Sequence, residues 1–298
     1  MEQGELVVRK SYGGDITFRV EQVHKDFAVI KGTDFRLVAD SPIEDLTNVT
    51  ETTLKRRSQQ AQIKMLKSVE AVEELRRRQK ERHWSEFEHA TISSHQTSYF
   101  EVPGKVLHLD GDPNYLQKSM ALYQQLRVPA EGHFVLEGNM ADFLHRVLPV
   151  SRPDVVVITG HDGVLKGLRR RDLYNLQTYK NSQNFVNAIL VARQYERNRD
   201  LLTIVAGACQ SHFEALLQAG ANFASSPGRV MIHALDPVNV AAKSAYTSIR
   251  DTVKIGDISP HTVTGIDGIG GIETRGSYRI GMPNWKDLSK IHVTPSVI

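Results

Sequence analysis

From Pro103 onward the chain repeats one unit, an apolar β-prone run followed by a helical stretch, and that alternation constrains its fold more than any other feature. KVLHLDGD runs into PNYLQKSMALYQQLRV, GHFVLE into NMADFLHRVLPV, and DVVVITGHDG through a loop into NSQNFVNAILVARQYER. LLTIVAGACQ then enters SHFEALLQAG, and RVMIHALD enters PVNVAAKSAYTSIRD. Strands so rich in Val, Ile and Leu are suited to burial on both faces, so the pattern predicts an α/β fold: a three-layer parallel sheet with helices on either side, over residues 101–298. The Gly-rich tail GIDGIGGIETRGSYRIGM reads as loops or a small terminal hairpin.

The region before the alternation is of another kind. Residues 1–49 show short β-rich runs parted by Gly-Gly, Lys-Asp and Gly-Thr-Asp turn signals, the spacing of a small SH3-like β-barrel. Residues 50–100 change to Lys, Arg, Glu and Gln with sparse apolar positions and read as a charged helical linker, exposed on most faces, that ends in the polar connector ATISSHQTSY. No run approaches the roughly 20 apolar residues of a spanning helix, so membrane insertion is not expected. MEQGELVVRK carries neither a basic leader with an apolar core nor a cleavage site, so export by a signal peptide is not expected either. A net charge of +3 is too mild to imply nucleic acid as a partner.

The chain has a single cysteine, Cys209, which excludes an internal disulfide framework and any multi-cysteine metal site. In an open parallel sheet, ligands bind beyond the carboxyl ends of the strands. Two loops on that edge carry reactive side chains: VVVITGHDG presents His161, and TIVAGACQS presents Cys209. A thiol is a useful nucleophile only as thiolate, and a helix N-terminus and a nearby imidazole both lower its pKa. The helix SHFEALLQA is expected to begin just after Cys209, with amides able to bind an oxyanion. His161 is then the proton acceptor and later the acid for the leaving amine. Caspases place their His roughly 50 residues before their Cys, close to the separation seen here. Plain packing of Gly-Ala-Cys under a crossing helix is the competing explanation.

The segments VVRKSYGGDITFRV, PGKVLHLDGD, VVITGHDG, AGACQSHFEALLQAGANFASSPGRVMIHALDPV and GGIETRGSYRIGMP resemble the YabG family of sporulation-specific peptidases across most of the chain. The resemblance implies a cysteine endopeptidase that trims spore coat and other spore proteins, cleaves after Arg and is capable of self-processing. It also implies a location in the cytoplasm of the sporulating cell or on the developing spore and its coat. At greater distance, the order of His and Cys on successive strand ends is similar to the caspase, clostripain and gingipain clan, whose His and Cys correspond to His161 and Cys209. That clan has His followed by Gly, whereas Asp162 stands here before Gly163. The oxyanion-hole amide is therefore Asp162 or Gly163.

An Arg-selective pocket needs a carboxylate partner. Asp110, Asp112, Asp162 and Asp236 lie at strand ends on the right edge, with Asp110 and Asp112 of HLDGD the best placed, although Asp-Gly also simply forms turns. Ser225 and Ser226 either line the cleft or make a turn, and Gly270 and Gly271 either admit a peptide backbone or mark a loop. His212 and His233 are weaker candidates for the base. Three basic clusters, at 54–58, 75–82 and 167–172, are solvated faces or self-processing sites. Acyl transfer through a thioester needs no metal or organic cofactor, and the expected partners are spore protein substrates, with a homo-oligomer left open. Two other functions fit less well. A thiol amidase of the glutamine amidotransferase type has Gly two residues after its Cys and its His downstream, whereas Ser211 and an upstream His stand here. A non-catalytic spore scaffold or nucleic-acid-binding protein would call for aromatic residues among the Arg clusters, which are lacking.

Overall fold

The computed structural model describes residues 1–49, 59, 63, 66–67, 69–82, 100–165, 170–258 and 261–281. The cluster at 54–58 and the connector at 90–99 lie outside them.

The first strands alternate buried and exposed positions, as a half-buried antiparallel sheet requires. They are β1 (Leu6–Arg9), β2 (Thr17–Val23), β3 (Phe27–Gly32), β4 (Val38–Pro42) and β5 (Leu46–Asn48), paired in the order β4-β3-β2-β1-β5. Val7, Phe18, Val20, Ala28 and Ile30 form their common core. Between β3 and β4 the chain makes a tight turn over residues 33–37, where Leu37 N donates to Phe35 O (2.8 Å) and Gly32 N to Leu37 O (2.7 Å).

Helix α1 (residues 69–82) departs from the exposed linker expected. Val69 and Val72 are buried against the α/β layers, and Arg76 binds Glu101 at 2.8 Å while lying over the Tyr246 ring. The basic residues of the 75–82 cluster are thus largely engaged: Arg77 and Arg78 pair with Glu74, and Arg82 with Asp251.

After β6 (Phe100–Val102) the parallel core follows: β7 (Val106–Asp110), α2 (Pro113–Leu126), β8 (Ala130–Phe134), α3 (Met140–Ser151), β9 (Val155–Thr159), α4 (Ser182–Tyr195), β10 (Thr203–Ala206), α5 (Phe213–Ala219), β11 (Phe223–Ser225) and α6 (Asp236–Tyr246). Helix α2 begins where Asp112 accepts from the amides of Asn114 and Tyr115 with Pro113 in the first turn, and it ends on Arg127 in the left-handed conformation. Strands β7, β9 and β10 are buried at every position. Their side chains alternate between two cores. Leu107, Leu109, Val156, Ile158 and Ile204 pack under α3, α4 and α5, whereas Val106, Val155, Val157 and Val205 pack under α1, α2 and α6.

After α6 come β12 (Thr252–Val253), β13 (Ile269–Gly271), β14 (Thr274–Arg275) and β15 (Arg279–Gly281). The tail, expected as loops or a small terminal hairpin, instead completes three sheets. β13 pairs antiparallel with β11 at the main sheet's edge, β14 pairs with β12, and β15 pairs with β6. Gly270 and Gly271 serve this packing: a β-carbon on Gly271 would stand 2.2 Å from Asn222 O, and one on Gly270 2.9 Å from the Phe213 ring. RVMIHALD is not a strand of the main sheet; the short FAS after α5 takes that place, and His233 instead makes a bridge to Phe35.

The main sheet has the order β13-β11-β10-β9-β7-β8. The chain leaves β7 toward one side and returns past it to β9, with α2 and α4 on opposite faces. The crevice between the carboxyl ends of β7 and β9 is therefore the place where such a sheet opens to a ligand.

Candidate active site

Three loops meet at that crevice. Asp110, the last residue of β7, is paired in register with Thr159 of β9, so the HLDGD loop lies beside the TGHDG loop, and Gly207 follows β10 on the same edge. Glycine is needed at two of these turns because the Glu137 carboxylate fills the space next to them: a β-carbon on Gly111 would meet it at 2.2 Å and one on Gly160 at 2.4 Å. Gly207 has φ +110 and no room for a side chain between Leu216 and Ser225.

His161 is held at three points. Its amide donates to Glu137 Oε1 (2.8 Å), its carbonyl accepts from Asn181 Nδ2 (2.8 Å), and its ring Nε2 lies 2.8 Å from Asp112 Oδ2. A proton on Nε2, donated to that carboxylate, leaves Nδ1 of the neutral ring as a lone-pair acceptor. Nδ1 is buried and has no partner among the described residues. It thus remains available for proton exchange, although no hydrogen bond joins it to Cys209 in this state.

Asp112 is thus bonded to His161, and it also carries an ion pair from Lys31 of β3. Burial would raise its carboxyl, but the bonds from His161 and Lys31 hold it below the usual carboxylate range.

Asp162 does not touch the sulfur. Its Oδ1 accepts from the amides of Gly163 (2.8 Å) and Asn181 (2.8 Å), and its Oδ2 from the hydroxyls of Ser182 (2.5 Å) and Ser211 (2.9 Å). Burial pushes this carboxyl up against those bonds. Ser211 in turn accepts from Ala208 N (2.9 Å), so the pair ties the histidine loop to the cysteine loop. Of the two amides expected at the oxyanion hole, that of Gly163 donates to Asp162 in this structure.

Cys209 is fully buried. Its Sγ accepts from Ile232 N at 3.2 Å and donates to Ile232 O at 3.7 Å. Helix α5 starts four residues later and is capped by His212, whose Nδ1 accepts from Ala215 N, so its amides do not reach the sulfur. The expected lowering of the thiol pKa is absent. Burial pushes it up to about 11, against the Ile232 amide and the charge and amide of Arg36.

Arg36, from the turn after β3, was not singled out in the sequence, where GTDFRL reads only as a turn. Its guanidinium pairs with both oxygens of Asp110 (2.8 and 2.7 Å) and donates to Ala234 O (3.1 Å), and both side chains are wholly buried. Burial would raise the Asp110 carboxyl; the Arg36 charge and the bonds from His108 and Arg36 hold it well below the carboxylate range. His108 itself is kept neutral by burial, bonded to Tyr123 and Thr159.

The other candidates bond within the fold. Ser225 and Ser226 are fully buried rather than on an open wall, with the Ser226 hydroxyl donating to Val230 O (2.7 Å) in a turn. Asp236 accepts from Thr264 and Val263. His212 caps α5, and His233 accepts from Leu235 N and packs on the Phe35 ring. The 167–172 cluster is described only from residue 170. Among the described residues no helix is long and apolar enough to cross a membrane.

No solved structure matches the chain. A sporulation-specific protease of Bacillus subtilis (strain 168), YabG, is 42% identical over 285 residues, covering 94% of this chain and 97% of that protein. The family profile described as YabG peptidase U57 matches residues 2–283. The crevice with its histidine, carboxylates and thiol thus lies within the matched region, and the chain belongs to the YabG family of peptidases.

Proposed function

We propose that this peptidase of sporulation is a thiol endopeptidase that cuts spore coat and other spore proteins after Arg, with Cys209 as nucleophile and His161 as base. The observation that carries it is the Arg36 guanidinium seated on Asp110 next to the only thiol, which supports Asp110 as the partner of a substrate arginine. Two parallel N–H···O bonds to one carboxylate are the recognition that distinguishes Arg from Lys.

In this mechanism His161 Nδ1 takes the thiol proton, and the sulfur attacks the carbonyl carbon of the arginine residue. The amides of Asp162 and Cys209 are the donors proposed for the resulting oxyanion. Collapse breaks the C–N bond, and the imidazolium returns its proton to the leaving amine. Water, deprotonated by His161, then hydrolyses the thioester, releasing the Arg carboxylate and restoring the thiol. Asp112 is a positioning residue that fixes the histidine tautomer, and Asp162 holds the two loops in register. The alternating layers and the His-before-Cys order support a caspase-like catalytic unit over 101–298, after an SH3-like unit over 1–49 and the linker over 50–100. Self-processing within the Arg runs belongs to the same proposal, as does action in the sporulating cell or on the developing spore coat.

Wild-type protein incubated alone and with an Arg-containing peptide library should yield new C-termini at Arg by mass spectrometry, and Cys209→Ala and His161→Ala should yield none. Equal cleavage by all three proteins would refute the dyad.

A further inference from the structure

Arg36 does more than fill a pocket: the backbone on either side of it lies along the crevice as a bound peptide would. Phe35 bridges antiparallel to His233, and Ala234 N donates to Asp34 O at 2.8 Å, so residues 34–36 run beside 232–234 as an added strand. That is the geometry by which extended peptides are recognised at a strand edge, main chain for affinity and a side-chain pocket for specificity. The same segment holds the thiol, because Ile232 N and Ile232 O are the groups bonded to Cys209 Sγ. The turn is also clamped from α2. The Tyr115 hydroxyl lies between the carbonyls of Gly32 (2.5 Å) and Phe35 (2.7 Å), which share its one proton, and Lys118 Nζ donates to Thr33 O (2.6 Å).

We propose that residues 33–37 are an intramolecular plug that mimics an arginine substrate, filling the Asp110 pocket and covering Cys209, so that the wild type turns over slowly, only in the fraction of molecules whose turn is displaced. The inference rests on the peptidase assignment above. Three independent features converge on it: the buried guanidinium on the specificity carboxylate, the strand-like docking along 232–234, and a thiol with no exposed surface. Each acts through the N-terminal sheet, which carries the turn between β3 and β4. Displacing that sheet would therefore empty the pocket and uncover the sulfur in one movement, a shift between two states set by how tightly the turn docks.

Because Cys209 is the only cysteine, its alkylation by iodoacetamide, followed as intact mass, reports the plug without requiring catalysis. The full-length wild type, Arg36→Ala and Tyr115→Phe are compared, with folding checked by thermal melting and each protein also assayed on a fluorogenic arginine amide. Tyr115→Phe keeps the ring and removes only the hydroxyl seated between those two carbonyls; at about 1 kcal/mol for a typical bond, alkylation should accelerate about fivefold. Folded Arg36→Ala should be alkylated faster still, and both variants should cut the amide faster than wild type. A folded Arg36→Ala alkylated at the wild-type rate would overturn the plug. Should that variant not fold, an unchanged rate in Tyr115→Phe would do so. Faster alkylation without amide cleavage would leave the turn as the cover of Cys209 and remove the Arg-selective thiol mechanism proposed above instead.

Discussion

Asp112→Asn should lower kcat on an arginine peptide by up to about 10⁴-fold, the loss found where the orienting carboxylate of a triad is made an amide. Asn caps a helix as well as Asp does, so the start of α2 survives and the loss falls on the histidine. What disappears is the acceptor that keeps the His161 proton on Nε2. The ring can then carry its proton on Nδ1, where it faces away from the carboxylate position and cannot serve as base. A pH–rate profile separates this from a fold defect, since a mispositioned base changes the acidic limb of the profile whereas partial unfolding scales the whole curve down. An Asp112→Asn enzyme with wild-type kcat would remove Asp112 from the mechanism.

Asp110→Asn acts on both stability and specificity. It leaves a buried guanidinium without its charge partner, a change that typically costs about 3–5 kcal/mol. At roughly 2–4 °C per kcal/mol for a protein somewhat smaller than this one, the melting temperature should fall by about 10 °C. The pH dependence fixes the sign. The Asp110 carboxyl is held below its ordinary value in the fold, so its stabilisation is complete above the unfolded value near pH 4 and is lost as the pH falls further. The gap between wild type and Asp110→Asn should therefore be full at pH 7 and narrow in acid, a trend that melting curves from pH 7 to 3 would record. Among molecules that do turn over, the preference for Arg over Leu at the cut should drop by about 10²-fold, since truncating a buried charge pair costs 2–5 kcal/mol. A variant as stable and as selective as wild type would show that Asp110 neither pairs with Arg36 nor reads the substrate.

The parallel core was legible because its strands are unbroken apolar runs and its helices carry ordinary caps; Asp112 before Pro113 marks one of them. Strand β11 was not, since three residues of FAS carry too little periodicity to compete with RVMIHALD, whose true partners are the thiol and the Phe35 turn. The tail was misjudged for a related reason: Gly270 and Gly271 read as a loop, yet glycine is what the edge strand needs where its backbone meets Asn222 and Phe213. Of the site, sequence position alone brought His161, Cys209 and Asp110 to one sheet edge. Side-chain roles were harder to read. The carboxylate of Asp162 ties loops together across residues 162, 182 and 211, and Glu137 fills space beside two glycines, contacts between segments far apart in the chain. Arg36 had no local signal at all, because its partner lies 74 residues away.

The central claim, that Cys209 is the nucleophile of an Arg-selective site, is tested most directly with a peptidyl-arginine chloromethyl ketone on wild type, Arg36→Ala and Arg36→Ala/His161→Ala. Peptide mapping should place the adduct on Cys209 alone, formed faster in Arg36→Ala and slowly once His161 is gone, with cleavage lost in step with labelling. Peptide cleavage that is lost while Cys209 stays unmodified, or that persists after Cys209 is fully alkylated, would contradict it.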